Sequence, residues 1–355
     1  MNKKLLALFP STICMLVGTG QARADQIQIY GLIDAGLTRY SDSADSTGKD
    51  TGVFTKMDTG VANANRLGFR GTEQLGDGLS AFFTLENGFT LDDGALGQGG
   101  AIFGRQAFLG INGRYGGISV GRHYDFMVNE NAYSTGAVTP AGLLAFGLHA
   151  SPRTGYVLND RIYAGDRVNN SIKFQSQKVG GWSFGALYGL GEVAGNRVAG
   201  RAYSARVGYD EGPVSAGFAL TDLRDPTGAF STCIYGLGGS YNFGVVRAYG
   251  LLTEVSNNNG KDRKVDTTDI GVTWTAARQL ELSAGVQHQR RNNGIGSADQ
   301  LTLVADYRLS VRTDVYVTAA FLRDRGYPAQ TTAAVGVPAV DGTQNALRAG
   351  IRHTF

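Results

Sequence analysis

Apolar and polar residues alternate along most of the chain. In residues 313–323, Val315, Val317, Ala319 and Phe321 fall on one face, and Asp314, Tyr316 and Thr318 on the other. This is the two-residue period of a strand with one apolar face. The C-terminal segment repeats it: Leu347, Ala349, Ile351 and Phe355 oppose Arg348, Arg352 and Thr354. Near the start, Ile27, Ile29, Ile33 and Leu37 alternate with Gln28, Tyr30, Asp34 and Thr38. The same reading predicts strands near 27–40, 65–74, 79–90, 102–112, 117–123, 167–177, 182–190, 201–209, 214–221, 235–242, 245–254, 267–275, 280–290, 298–307, 313–323 and 345–355. Short connections (113–117, 178–181, 210–213, 276–279, 308–312) alternate with long ones (41–64, 91–101, 124–166, 222–234, 255–266, 291–297, 324–344). An even number of strands, with tight turns at one end and long loops at the other, predicts an all-β, sixteen-stranded antiparallel up-and-down barrel. No segment of helical period competes, and no domain linker is visible.

The polarity of the two faces decides the solvent. A sixteen-stranded barrel is too wide for side chains to fill, so its charged face lines a water-filled lumen. The apolar face then meets lipid, and closure leaves no unpaired edge in hydrocarbon. Composition agrees. Charged residues are 18%, below the soluble average of about 25%. Glycine is 52 of 355 residues, roughly twice its usual share, which suits turns and close strand contacts. Mean hydropathy is −0.13, far below that of a helical transporter. No later stretch of the chain reaches 18 apolar residues, so no transmembrane helix is expected.

Residues 1–24 read as a secretory signal peptide, and 25–355 as the barrel. Lys3 and Lys4 precede an apolar stretch over 5–20, and Ala22-Arg23-Ala24 fits a small-x-small cleavage site. Without the bases of that segment, the chain has as many basic as acidic residues, 30 of each. Nothing in the charge calls for a nucleic-acid partner. Cys14 falls in the leader, which leaves Cys233 alone and no disulfide framework. Export to an oxidising compartment suits such a chain.

Several segments resemble the general diffusion porins of Gram-negative outer membranes, especially the betaproteobacterial type. These are Ile29-Tyr30-Gly31-Leu32-Ile33-Asp34-Ala35-Gly36, the run from Arg66 to Leu79 (Arg-Leu-Gly-Phe-Arg-Gly-Thr-Glu-Gln-Leu-Gly-Asp-Gly-Leu), and Phe103-Gly104-Arg105-Gln106-Ala107-Phe108-Leu109-Gly110. Val120-Gly121-Arg122-His123-Tyr124-Asp125, the hairpin from Tyr307 to Tyr316 and the closing Gly350-Ile351-Arg352-His353-Thr354-Phe355 follow in the family's order. Residues 182–300 carry little of this signature. The resemblance implies a homotrimer in outer-membrane lipid and lipopolysaccharide, passing ions and small polar solutes by passive diffusion, with no cofactor or metal. It also implies that the terminal Phe355 is read by the barrel assembly machinery, and that the long loop 124–166 folds into the lumen.

Porins of this type set basic wall residues against acids of the inserted loop. Motif by motif, Arg66 and Arg105 match basic wall positions, Arg167 a third, and Arg122 stands at the loop's entrance. The family's enteric members have a further base in the first strand, where this chain has Leu32. The loop acids are Asp125, Glu130, Asp160 and Asp166, all near its ends, while its middle has no acid but holds His149 and Arg153. A net-positive narrow zone, and hence a mild anion preference, is expected. Three other classes compete with this reading: a substrate-specific channel, a less favoured barrel-embedded hydrolase, and an adhesin or surface antigen displayed by the loops. With four His in the chain, Asp92-Asp93 and His123-x-Asp125 are the only faint catalytic candidates. Gly236-x-Gly238 lies in a strand pattern with no following helix, so it is no nucleotide site.

Overall fold

The computed structural model describes residues 24–43, 52–135, 149–150, 167–258, 264–291, 296–326, 329–331 and 342–355. The leader expected at 1–24 therefore lies outside the described residues except for Ala24, which opens the first strand.

Seventeen strand segments form one sheet. Two of them are collinear. Phe54–Thr59 pairs with the second half of β1 (Ala24–Tyr40), from Tyr40↔Phe54 to Ala35↔Thr59. Arg66–Gly76 pairs with the first half, from Leu32↔Arg66 to Ala24↔Glu73. The two make one strand, β2, interrupted by residues 60–65, so the barrel has sixteen strands. The others are β3 (Leu79–Gly88), β4 (Gln106–Gly113), β5 (Gly116–Tyr124), β6 (Arg167–Ser176), β7 (Trp182–Gly189), β8 (Ala202–Glu211), β9 (Val214–Arg224), β10 (Ser231–Asn242), β11 (Val246–Asn257), β12 (Lys264–Ala277), β13 (Leu280–Arg291), β14 (Gly296–Arg308), β15 (Thr313–Arg325) and β16 (Thr343–Thr354). Each pairs antiparallel with its sequence neighbours, and β16 returns to β1 from Leu32↔Thr354 to Tyr40↔Ala346. The ring is closed, with no free edge.

Pleat alternation separates two solvents. Outward positions such as Leu37, Leu109, Ile118, Phe184, Leu252, Ile270, Val286 and Leu347 are apolar and exposed. Inward positions on the same strands are polar and covered, including Asp34, Thr38, Ser119, Thr253, Asp269, Gln287 and Arg348. Near the short-turn end, Trp182 packs on Tyr209 and Tyr241 on Phe243, at ring separations of 5.0 and 4.5 Å. Such outward aromatics suit the membrane interface.

The strands expected from periodicity are all present, but several continue into the segments expected as loops. The expected loop 41–64 contains the first half of β2, and β9, β10 and β12 also run into expected loops. Polar residues can stay paired above the lipid, where alternation of hydrophobicity no longer marks a strand. In the other direction, β4 starts at Gln106 rather than near 102, because residues 101–104 turn (Gly104 N–H to Ala101 O, 3.1 Å).

Candidate functional site

One stretch of inner wall gathers the predicted bases. Arg66 opens the second half of β2, where its Nε donates to the Ala64 carbonyl at 3.2 Å. Arg105, Glu86, Tyr124 and Tyr30 are its electrostatic neighbours. Arg105 Nε donates to Glu86 Oε1 at 2.7 Å, and the Tyr30 hydroxyl donates to Glu86 Oε2 at 2.9 Å. Tyr124, at the end of β5, lies under two guanidiniums, Arg105 at 5.9 Å and Arg167 at 4.7 Å from its ring centre. Its hydroxyl accepts from Arg167 Nη2 at 2.8 Å. Arg66, Arg105 and Arg167 are thus gathered around Tyr124, and Glu86 lies beside Arg105 and Arg66. Arg122 is spent differently. It sits at a register shift between Gly121 and His123, where its Nε donates to the Gly104 carbonyl at 2.8 Å and Nη1 to Asn169.

The first part of the long loop runs against inward-facing side chains of β8 to β13. It contains α1 (Met127–Glu130) and a 3₁₀ turn, Asn131–Tyr133. Asp125 Oδ2 accepts from Thr221 Oγ1 at 2.8 Å, and the Phe126 N–H donates to Ser204 Oγ at 2.9 Å. Glu130 pairs with Arg206 Nε at 2.8 Å, and the Thr135 N–H donates to Asp269 Oδ2 at 2.8 Å. Asp125 and Glu130 are both fully covered. Burial pushes the Glu130 carboxyl up to about 7, against the opposing pull of Arg206.

Inward-facing glycines make room for this segment. A Cβ at Gly185 would stand 2.2 Å from the Phe126 ring, at Gly236 2.6 Å from Met127 Cε, at Gly238 2.5 Å from the Tyr133 ring, and at Gly285 2.0 Å from Thr135 Oγ1. The Gly236-x-Gly238 pair is thus part of a floor under the loop. Further along, His149–Ala150 pairs antiparallel with Ala329–Gln330 of the last long connection. Arg153, Asp160 and Asp166 lie outside the described residues.

A third group lies where β1 meets β15 and β16, and sequence reasoning did not find it. Residues 60–65 form a strap that the Asp34 carboxylate holds through the N–H groups of Ala62 (2.7 Å) and Asn63 (3.1 Å). The Asp34 N–H donates to Asn65 Oδ1 at 2.7 Å, and the Tyr316 hydroxyl to Asp34 Oδ1 at 2.5 Å. Arg348 reaches Tyr316 and Thr38 at 2.8 and 3.0 Å, and Arg352 bridges Asp314 at 3.0 Å and Asn63 at 2.8 Å. Tyr30, Tyr40 and Tyr316 all face inward, each donating to a carboxylate. At the chain end, Phe355 exchanges both backbone hydrogen bonds with Gly31, at 3.0 and 3.1 Å.

Among the described residues no cluster of three His, Cys, Asp or Glu could hold a metal ion. His123 has both ring nitrogens occupied by serines, Ser119 and Ser171, at 2.8 Å each. The fold and its lining define a membrane-spanning β-barrel channel. Comparison with known proteins agrees: the model of the Gram-negative porin family matches residues 11–327, and the chain belongs to that family. It is 29% identical to outer membrane porin protein 32 of Delftia acidovorans, over the full length of both. It is 31% identical to an outer membrane porin protein of Bordetella pertussis, covering 72% of this chain and 70% of the relative. Among solved structures, an anion-selective porin from Comamonas acidovorans superposes with a TM-score of 0.72 at 24% identity, covering 93% of this chain and 99% of that one. The protein is an outer-membrane porin, a channel for passive diffusion of ions and small hydrophilic solutes.

Proposed function

We propose that this porin favours anions, and that Arg66, Arg105 and Arg167 form the basic side of its constriction. The observation that carries this reading is their convergence on Tyr124 with one acid, Glu86, among them. Low-dielectric walls focus the field of fixed charges into the aqueous gap. Arginine stays charged at every relevant pH, so that field does not switch off. The opposite sides of the lumen are closer to charge balance, because Asp125 and Glu130 are absorbed in docking and the acids near β16 are held by Arg348 and Arg352. The selectivity named for the porin from Comamonas acidovorans has the same sign.

Loop 124–166 is the element that narrows the lumen in this reading. Its docked beginning supports that role, and His149, Arg153, Asp160 and Asp166 belong to its continuation. Arg122 braces the turn next to Arg105. Residues 1–24 direct export, Phe355 is the signal for the barrel assembly machinery, and the channel works as a homotrimer among outer-membrane lipids and lipopolysaccharide. It is a channel and not an enzyme, and needs no cofactor.

The test is the reversal potential of the folded protein in a planar bilayer across a salt gradient. An anion-favouring potential is expected, and it should fall toward the unselective value in Arg66→Gln/Arg105→Gln. An unchanged potential in that variant would remove these residues from the constriction.

A further inference from the structure

On the short-turn side of the basic wall, the lumen carries an aromatic surface that the diffusion role does not use. Phe82 faces inward from β3, four residues along the strand from Glu86, or about 13 Å at strand rise. Its ring lies down across the neighbouring strands instead of standing up from its own. A Cβ on Gly110 would meet the Phe82 ring at 2.5 Å, and one on Gly117 at 3.4 Å. Glycine at 110 is what lets the ring lie low on the wall, while Gly117 is only in ordinary contact with it. Phe108 meets Phe82 edge-on, with ring centres 6.1 Å apart. On its other side Phe108 stacks on His123 at 4.8 Å and 20°. The two serine hydrogen bonds of His123 lock that backing ring, so the platform is rigid.

Phe82 and Phe108 are only half-buried. They line a cavity of about 560 Å³ together with Gln106, Asn112 and Lys173. Arg70 stands on the other side of Phe82, in an adjoining recess. The Lys173 ammonium is held by the Tyr124 carbonyl at 2.8 Å and lies over the Phe126 ring at 4.3 Å, so the exposed Arg70 is the cation open to a solute. Apolar rings open to an aqueous channel, with a guanidinium beside them, are the chemistry for a flat anion. One face stacks and the carboxylate meets the guanidinium, and the volume suits a single-ring solute.

We propose that this platform is a solute-binding subsite for aromatic carboxylates, holding them on the short-turn side of the arginine cluster, which in outer-membrane barrels is the periplasmic side. It rests on the chain being an open channel but not on the constriction assignment, because none of Phe82, Phe108, Lys173 and Arg70 belongs to that cluster. The test uses benzoate and cyclohexanecarboxylate, anions of equal charge and similar size of which only one has an aromatic face. Each is titrated from the periplasmic side onto channels carrying a chloride current. Benzoate should reduce the current and add noise at concentrations where cyclohexanecarboxylate does neither. In Phe82→Leu/Phe108→Leu its half-effect concentration should rise about three- to tenfold, the range expected for lost stacking. Equal action of the two anions on the wild-type channel would overturn the proposal, and so would an unchanged benzoate titration in the folded double variant. If that variant does not fold, the wild-type pair of anions decides alone. The salt-gradient reversal potential, read on the same membranes, reports separately on the constriction.

Discussion

Glu86 Oε1 accepts the Arg105 Nε–H at 2.7 Å, so the basic wall carries its own counter-charge. The pair is almost out of solvent, with side-chain exposures of 7% for Arg105 and 4% for Glu86. Glu86 therefore does two things. It fixes the direction of Arg105, and it subtracts one charge from the field of three arginines.

Glu86→Gln should strengthen the anion preference. One charge acts on an ion roughly 6 Å away with about 0.7 kcal/mol at the dielectric of bulk water, a factor of about three in relative permeability. Gln keeps one acceptor oxygen for Arg105, and its NH2 can donate to the Tyr30 hydroxyl, which then turns to accept, so the barrel should still form. A salt-gradient reversal potential that moves toward cations would show that Glu86 holds the arginines in place more than it neutralises them.

Asp34 and Arg348, both without solvent exposure and 3.5 Å apart, make the opposite kind of test. Removing one partner of a buried pair costs about 3–5 kcal/mol, because the other charge is left without it. Asp34→Ala also releases the strap at 60–65. The temperature at which the folded barrel is lost on semi-native gels should drop clearly. Lys178→Ala breaks an exposed pair with Asp210 (51% and 67% exposed) and should leave that temperature where it was. Equal behaviour of the two variants would mean that the strap contributes nothing to the barrel.

The strap also shows where reading the chain stops. Which residues face lipid and which face water was legible from alternation alone, and the assignments at 27–38, 313–323 and 347–355 all hold in the barrel. The arginines at 66, 105 and 167 were found by motif, and the fold brings them together. Residues 60–65 were missed because they interrupt a strand without leaving it, and a six-residue gap in a periodic pattern reads as loop. Glu86 was missed because a single acid on an inward face has no motif; its meaning comes from Arg105, one long loop and 19 positions away. Asp314 and Arg352 are register partners on the last two strands, but the Asp34 carboxylate meets Arg348 only because the last strand returns to the first, and closure brings together residues more than 300 positions apart.

The glycines under the loop yield a prediction that separates packing from turn-making. Gly185→Ala would drive a methyl into the Phe126 ring, and Gly285→Ala would drive one into Thr135; neither neighbour has a flexible end to swing away. Gly250 faces outward, and the nearest atom to a Cβ there is 3.5 Å away. Gly185→Ala/Gly285→Ala should therefore shift single-channel conductance and raise open-channel noise, while Gly250→Ala should match the wild type. Identical traces from the double variant would mean that the loop segment 126–135 does not rest on this floor in the membrane.

Glu130 sets the expected response to pH. Its carboxyl is raised from the ordinary 4.5 to about 7, chiefly by burial under the loop and in spite of Arg206. Between those values the folded chain keeps a proton that the unfolded chain has lost. The group's contribution to stability is therefore fully present below about pH 4.5 and is lost as pH rises through 7. The same titration acts on permeation. As pH falls through 7 the lumen wall loses one negative charge while Arg206 stays positive, so anion preference should rise between pH 8 and pH 6. Glu130→Gln should remove that slope and hold the channel at its acidic value throughout. Reversal potentials of both proteins across that range decide the matter: a slope that survives in Glu130→Gln belongs to another group, and a wild-type slope of opposite sign would mean that protonation frees the loop instead of settling it.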